Sequence, residues 1–206
     1  TIPDGCRDQS VLLLMLAERA LTAIATPERR AAWRRDLAVV VPNTTYSTQP
    51  TSDPPSHSGL IAACAEWLRN HAGLCPDTSW VEASLTRQLG QFVPAGLYRE
   101  AGDSLAYEQL ARLHAGILLD EGYAGADSAQ LGELFERGAW ASLLMQSPHG
   151  EVATGGLGAQ HQWNEAALIL TNEMAARRFV RRGEHAGAGA LKRSAHLAMQ
   201  SLRRWV

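Results

Sequence analysis

Long apolar runs, an even set of cysteines and a clear excess of either charge are all missing from this sequence. The longest apolar run covers seven residues, Val11 to Ala17, whereas a membrane-spanning helix needs about 20. Three cysteines without a CxxC spacing argue against a disulfide framework and a structural zinc site. The one pairing left open joins Cys64 to Cys75. A formal net charge of −2 argues against a general nucleic-acid binder, which would normally be basic.

Common catalytic motifs are also missing. The sequence has no GxxxxGK[ST] phosphate loop, no HExxH and no GxSxG, which are the short signatures of several large enzyme classes. The glycines of 155–158 follow no strand pattern, so they are not a dinucleotide fingerprint. His149, Glu151 and His161 could form a metal site, but their spacing fits no standard motif. We therefore expect no metal and no cofactor.

What the sequence does contain is the 3.6-residue apolar period of α-helices along most of its length. The pattern predicts about eight helices in four antiparallel hairpins, and hence an all-α fold in a single helical domain over 1–206. Three glycines are expected to end helices: Gly73, Gly122 and Gly183. Four side chains are expected to begin them: Thr26, Ser79, Asp103 and Asp127.

Three long loops separate the helix pairs, at 42–58, 94–103 and 147–158. Loops of this length in a compact domain are often functional. Because they alternate with helix pairs, we expect them to gather at one end of the helices, as functional loops do on a rigid scaffold.

The most site-like stretch runs from Gln146 to Glu165, where a glycine-rich loop enters a helix. Glycines let the backbone turn tightly and approach a ligand closely. If the helix starts near Ala159, one face of its first turns carries four residues at i, i+3, i+4 and i+7: His161, Asn164, Glu165 and Leu168. A helix N-terminus favours negative charge, so this face could hold a sugar carboxylate or a developing anion.

A purely structural interpretation of the same residues stays open. Glu165 in a first turn suits any helix dipole. Asn164 and Gln160 could satisfy backbone groups of the loop, and Trp163 could belong to the core.

A second candidate cluster precedes and opens an earlier helix. Tyr98 and Arg99 lie in the loop before the helix, and Tyr107 lies one turn past the expected cap, Asp103. Asp103 is explained by capping, and His114, two turns further, is as well explained as a core histidine. Tyr98, Arg99 and Tyr107 are better candidates because a cap does not need them.

At 98–107 and 149–165 the sequence resembles the helical toroid domains of carbohydrate-active enzymes. These are the polysaccharide lyases of the heparinase and alginate-lyase kind and the unsaturated-uronide hydrolases. The resemblance covers 98–205, and its most specific residues are the glycine pair at 155–156 and the run Gln160–Glu165. Leu157 follows the glycine pair where similar sequences are expected to have a polar or basic residue. The resemblance implies an α/α toroid built from antiparallel hairpins.

For a lyase, the resemblance implies β-elimination next to a uronate carboxylate. Asn164 and His161 would neutralise the carboxylate, and Tyr98 or Tyr107 would remove the α-proton. The substrate-binding residues would be Arg99, Gln160, Trp163, His149 and Asp103. A hydrolase on the same scaffold would instead need a carboxylic acid, for which the sequence offers Glu165, Glu151 and Asp103.

The expected partner is a polysaccharide or oligosaccharide, with no nucleic acid and no membrane. A full toroid has more hairpins and is often followed by a β-sandwich, so we expect the chain to be part of a larger enzyme or a shortened relative. A non-catalytic helical scaffold is the alternative from another class. No signal-peptide pattern is visible and the chain begins at Thr1; we expect a secreted or periplasmic location if it is processed, and a cytoplasmic one otherwise.

Overall fold

A computed structural model describes residues 7–50, 54–100, 104–153, 155–156 and 162–204. Within these ranges the backbone forms nine helices and no strand, apart from an isolated β-bridge between Phe92 and Tyr98. The predicted all-α class is therefore confirmed. By its internal contacts the chain divides into two compact units, unit 1 (1–88) and unit 2 (89–206). The single domain expected over 1–206 stays a prediction.

Unit 1 is built around a helix pair. Its helices are α1 (Arg7–Ala20), α2 (Pro27–Ala38), α3 (Pro42–Thr45), α4 (His57–His71) and α5 (Ser79–Leu89). Helix α1 packs along α4 and also contacts α2. The short α3 lies inside 42–58, so the single long loop predicted there was wrong. Cys64 and Cys75 form no disulfide with each other.

A buried arginine joins two helices of unit 1. Arg69 on α4 is 1% exposed and binds both carboxylate oxygens of Glu66, at 2.5 and 2.7 Å. It also donates to the carbonyls of Leu37, in the last turn of α2, and of Val40, just past the end of that helix, both at 2.9 Å. The carbonyls of the last turn of a helix have no partner within it, so Arg69 ties the end of α2 to α4.

Unit 2 contains two antiparallel hairpins. Its helices are α6 (Leu105–Asp120), α7 (Ser128–Met145), α8 (Gln162–Arg181) and α9 (His185–Arg203). Helix α8 packs along both α6 and α9. The buried amide of Asn172 on α8 donates to Ser194 Oγ on α9 at 2.8 Å. Lys192 pairs with Glu173 nearby, at 2.7 Å. In the described part of the chain, no helix is both long and apolar enough to cross a membrane.

The three helix-ending glycines are confirmed. Gly73, Gly122 and Gly183 follow α4, α6 and α8 with φ of +71°, +79° and +79°, the left-handed conformation that glycine adopts at little cost. In each case the next residue's N–H donates to a carbonyl in the last turn, such as Arg69 O at 2.9 Å after α4. These ends turn the chain back into the next helix.

Of the predicted helix starts, some are confirmed and others are wrong. Thr26 caps α2, accepting a hydrogen bond from Arg29 N at 3.3 Å, and this prediction is confirmed. Ser79 is not a cap, because α5 begins at Ser79 itself and its hydroxyl donates to Asp77 at 2.8 Å.

Helix α6 is capped by Ser104, which accepts from the backbone N–H of Tyr107 at 3.3 Å, so the cap predicted at Asp103 was one residue early. Asp103 itself lies outside the described residues. Asp127 occupies the N-cap position of α7 as predicted, but its side chain makes no capping hydrogen bond.

Candidate functional site

The first turns of α6 and α8 lie at the same end of unit 2. Asp120 near the end of α6 pairs with Arg177 near the end of α8, with 2.8 Å between Oδ2 and Nη2. Gly116, one turn earlier, lies against Met174, also one turn earlier. Because both contacts advance along the two helices together, α6 and α8 run parallel. Their N-terminal turns are therefore neighbours.

The glycine-rich loop, residues 147–156, meets the start of α6. The carbonyl of Gly155 accepts a hydrogen bond from the backbone N–H of Leu105, at 3.2 Å. Leu105 is the first residue of α6, whose N–H has no partner within the helix. This bond brings together the two stretches singled out in the sequence, the glycine-rich loop and the helix start that carries Tyr107.

The other half of the loop is held by hydrogen bonds of its own and by α9. Ser147 Oγ donates to Glu151 at 2.6 Å and accepts from the backbone N–H of Glu151 at 3.1 Å. Arg204 donates to the carbonyl of His149 at 2.8 Å and lies 3.5 Å from the Glu151 carboxylate. Gly150 packs on the backbone of Leu197 in α9. The loop is therefore fixed at both described ends.

The first turn of α8 presents Asn164 and Glu165 to the interior. Each is 1% exposed, and Leu168 is fully buried, so these three share one face as the helical spacing predicted. Trp163 is half-buried beside them. The predicted start of this helix near Ala159 falls outside the described residues, as do Gln160 and His161.

The two candidate tyrosines have different surroundings. Tyr98 is 3% exposed, and burial, together with the charge of Glu100, raises its pKa above the ordinary value. Tyr107 is half-buried in the first turn of α6. A general base must give up its proton readily, so the raised pKa of Tyr98 argues against that role for Tyr98.

The remaining candidates lie near the surface. Arg99 is exposed, and its backbone N–H donates to Gln91 O at 2.9 Å. His149 is exposed on the loop. No group of three His, Cys, Asp or Glu side chains suited to a metal is found in the described ranges, although His161 is not among them.

Sequence reasoning missed a buried charged group just below this end of α6. Arg112 is fully buried and binds Glu108 at 2.8 Å and Gln109 at 2.7 Å. The i, i+4 spacing of Glu108 and Arg112 could have indicated the pair. Its burial had no local signal, because the covering residues come from elsewhere in the chain, including Gly138. The pair stiffens the helix that carries Tyr107.

Comparison of the chain with family models, curated proteins and solved structures gave no match.

Proposed function

We propose that unit 2 carries the substrate site of a polysaccharide lyase that cleaves a uronic-acid-containing glycan by β-elimination. The observation that supports it best is the hydrogen bond between Gly155 and Leu105. It joins the glycine-rich loop to the first turn of α6, next to the first turn of α8. In this proposal, polar groups from these three segments line the site for the sugar.

The proposed reaction needs a group to hold the uronate carboxylate and a base. The dipoles of two helix N-termini at one end of unit 2 favour an anion there. Neutralising the carboxylate makes the neighbouring C–H more acidic. Tyr107, as tyrosinate, then takes that proton, the C–H electron pair forms the new double bond, and the glycosidic oxygen leaves. The departing oxygen takes up a proton in turn.

Asn164 and Glu165 have distinct parts in this proposal. Asn164 donates to the substrate carboxylate from the floor of the site. Glu165 holds the first turn of α8 in place, so its role is positioning. Arg99, being exposed and cationic, draws the acidic polymer to the site.

The same proposal extends to the fold. The two antiparallel hairpins of unit 2 form part of an α/α toroid. The chain is either part of a larger carbohydrate-active enzyme or a shortened relative of such enzymes. Antiparallel hairpins with loops at one end are the element such a toroid repeats.

The first experiment is a panel of uronic-acid polymers incubated with the protein. The formation of unsaturated uronate is followed by ultraviolet absorbance, and reducing ends are counted in the same samples. A lyase gives both signals together. Reducing ends without absorbance would replace the lyase with a hydrolase, with Glu151 or Glu165 as its acid. No product from any polymer would contradict the proposal and favour a non-catalytic helical scaffold.

Two matched tyrosine variants then test the site. Tyr107→Phe removes the proposed base and should lower kcat by about 10²- to 10⁴-fold, with an unchanged melting temperature. Tyr98→Phe removes a buried hydroxyl and should cost about 1 kcal/mol of stability with normal turnover. If Tyr107→Phe retains full activity, the base is assigned to the wrong residue.

Asn164→Ala separates binding from folding. The lyase proposal expects kcat to fall by about 10²- to 10³-fold, the scale for one lost anion-stabilising donor. The structural interpretation expects a lower melting temperature and normal turnover, because the side chain is 1% exposed. Measuring both quantities on one preparation decides between the two.

A further inference from the structure

A pocket in unit 1, separate from the site proposed in unit 2, has the properties of a ligand site. It lies between α1 and α2 and encloses about 310 Å³, within the range of small-molecule sites. Its walls are mostly apolar and come from both helices, including Val11, Leu14, Trp33 and Leu37. The pocket does not depend on the proposed lyase activity.

One buried polar atom in this pocket lacks a hydrogen bond. Glu18 lines the pocket and its side chain is 5% exposed. Its Oε1 atom has no hydrogen-bond partner in the described residues. Arg30 and Arg34 approach that oxygen only to 3.7 and 3.6 Å. The two arginines offset the charge of Glu18 but donate no hydrogen bond to its Oε1. This oxygen can therefore accept a hydrogen bond from an N–H or O–H group of a ligand.

The rest of the lining shows what kind of molecule would fit. Asp36 is the second carboxylate at the pocket, and it makes no hydrogen bond or ion pair in the described ranges. No lysine or arginine lines the pocket. Because Arg30 and Arg34 already offset the charge of Glu18, the charge that an anionic ligand would meet is that of Asp36. Leu14 and Leu21, which are 55% and 37% exposed, place apolar surface at its mouth.

We propose that this pocket binds a small apolar molecule carrying one hydrogen-bond donor, an alcohol or an amine, whose donor pairs with Glu18. The apolar body of the ligand lies between α1 and α2, and its donor completes the hydrogen bonding of the buried carboxylate. A carboxylic acid of the same size binds more weakly because it is ionised at neutral pH, offers Glu18 no donor and is repelled by Asp36.

Four probes of similar size test this selectivity on the intact protein: 1-octanol, octylamine, heptyl methyl ether and octanoate. Each is titrated for displacement of N-phenyl-1-naphthylamine, an apolar fluorophore. We expect octanol and octylamine to bind at least about tenfold more tightly than the ether, which has an acceptor but no donor. Tenfold corresponds to about 1.4 kcal/mol, within the cost of leaving a buried acceptor unpaired. Octanoate should bind most weakly.

Two variants assign the binding to this pocket. Ala17→Phe fills the pocket from an exposed position of α1 and should abolish displacement by every probe. Ala31→Phe, on an exposed position of α2 that does not line the pocket, is the matched control and should leave binding unchanged. Glu18→Leu should remove the preference for octanol over the ether while leaving the ether's own affinity in place.

Several results would overturn the proposal. Equal affinity for octanol, ether and octanoate in the parent protein would show that Glu18 does not select the ligand. Unchanged binding in Ala17→Phe would place the probes elsewhere on the protein. If Glu18→Leu proves too unstable to measure, the comparison of octanol with the ether in the parent protein still decides the question.

Discussion

Replacing Gly150 by alanine should displace the glycine-rich loop from α9. The loss in free energy of unfolding should be much larger than for an ordinary glycine substitution. Gly150 has φ of +89°, and a side chain there costs about 1–2 kcal/mol from the left-handed backbone alone. A Cβ atom would also overlap the backbone carbonyl of Leu197. Because backbone cannot move aside as a flexible side chain does, the loop must shift away from α9.

The free-energy cost of this loop displacement follows from the hydrogen bonds that it breaks. The displacement would strain the bond from Arg204 to the His149 carbonyl and the bond from Gln146 to the Gly150 carbonyl, which are 2.8 and 3.1 Å long. At about 1 kcal/mol for each lost bond, the total cost of Gly150→Ala reaches about 3–4 kcal/mol.

Gly183→Ala is the matched control within the same unit. Gly183 has φ of +79°, but nothing lies within 4 Å of a Cβ placed there. It should therefore cost only the backbone contribution of about 1–2 kcal/mol. The free energy of unfolding from urea titrations measures both variants. Equal losses for Gly150→Ala and Gly183→Ala would refute the argument that the loop is held against α9.

Three further predictions concern stability. Arg69→Leu leaves the buried Glu66 carboxylate without its cation and should cost about 3–5 kcal/mol in denaturant titrations. Thr26→Ala removes the cap of α2 and should cost about 1 kcal/mol by the same measurement. Glu136, bonded to Arg182 and Arg178, is partly desolvated, but their hydrogen bonds keep its pKa below the ordinary value of about 4.5. The ionised Glu136 therefore stabilises the folded protein fully above about pH 4.5. This stabilisation is lost as the pH falls through the lower pKa that Glu136 has in the folded state. Parent protein and Glu136→Gln should converge in stability in acid, and a constant difference would contradict this.

Features set by neighbouring residues were predictable from the sequence. Gly73, Gly122 and Gly183 end helices because a single backbone conformation is needed at each position, and glycine adopts it at least cost. Cap positions were less certain, since two residues close together in the sequence can both cap. Asp103 and Ser104 are such a pair, and Asp77 and Ser79 compete in the same way.

Features that need distant residues were not predictable. The i, i+3 and i, i+4 pairs of Glu66 with Arg69 and Glu108 with Arg112 resemble exposed surface pairs in sequence, yet both pairs are buried. The alternation of loops and helix pairs predicted that the three long loops gather at one end of the helices, and within unit 2 the first turns of α6 and α8 do lie at one end. The pocket around Glu18 was not predicted, although a charged residue inside an apolar stripe of α1 could have indicated it.

The hydrogen bonds from Arg69 to the end of α2 also affect the pocket around Glu18. The carbonyl that Arg69 fixes at 2.9 Å belongs to Leu37, and Leu37 lines the pocket. A wall of the pocket is thus anchored to α4, which contributes no lining residue of its own. A ligand that binds only the folded form of unit 1 also stabilises that form. Substitutions inside α4, remote from any ligand contact, should therefore alter ligand affinity by moving that wall.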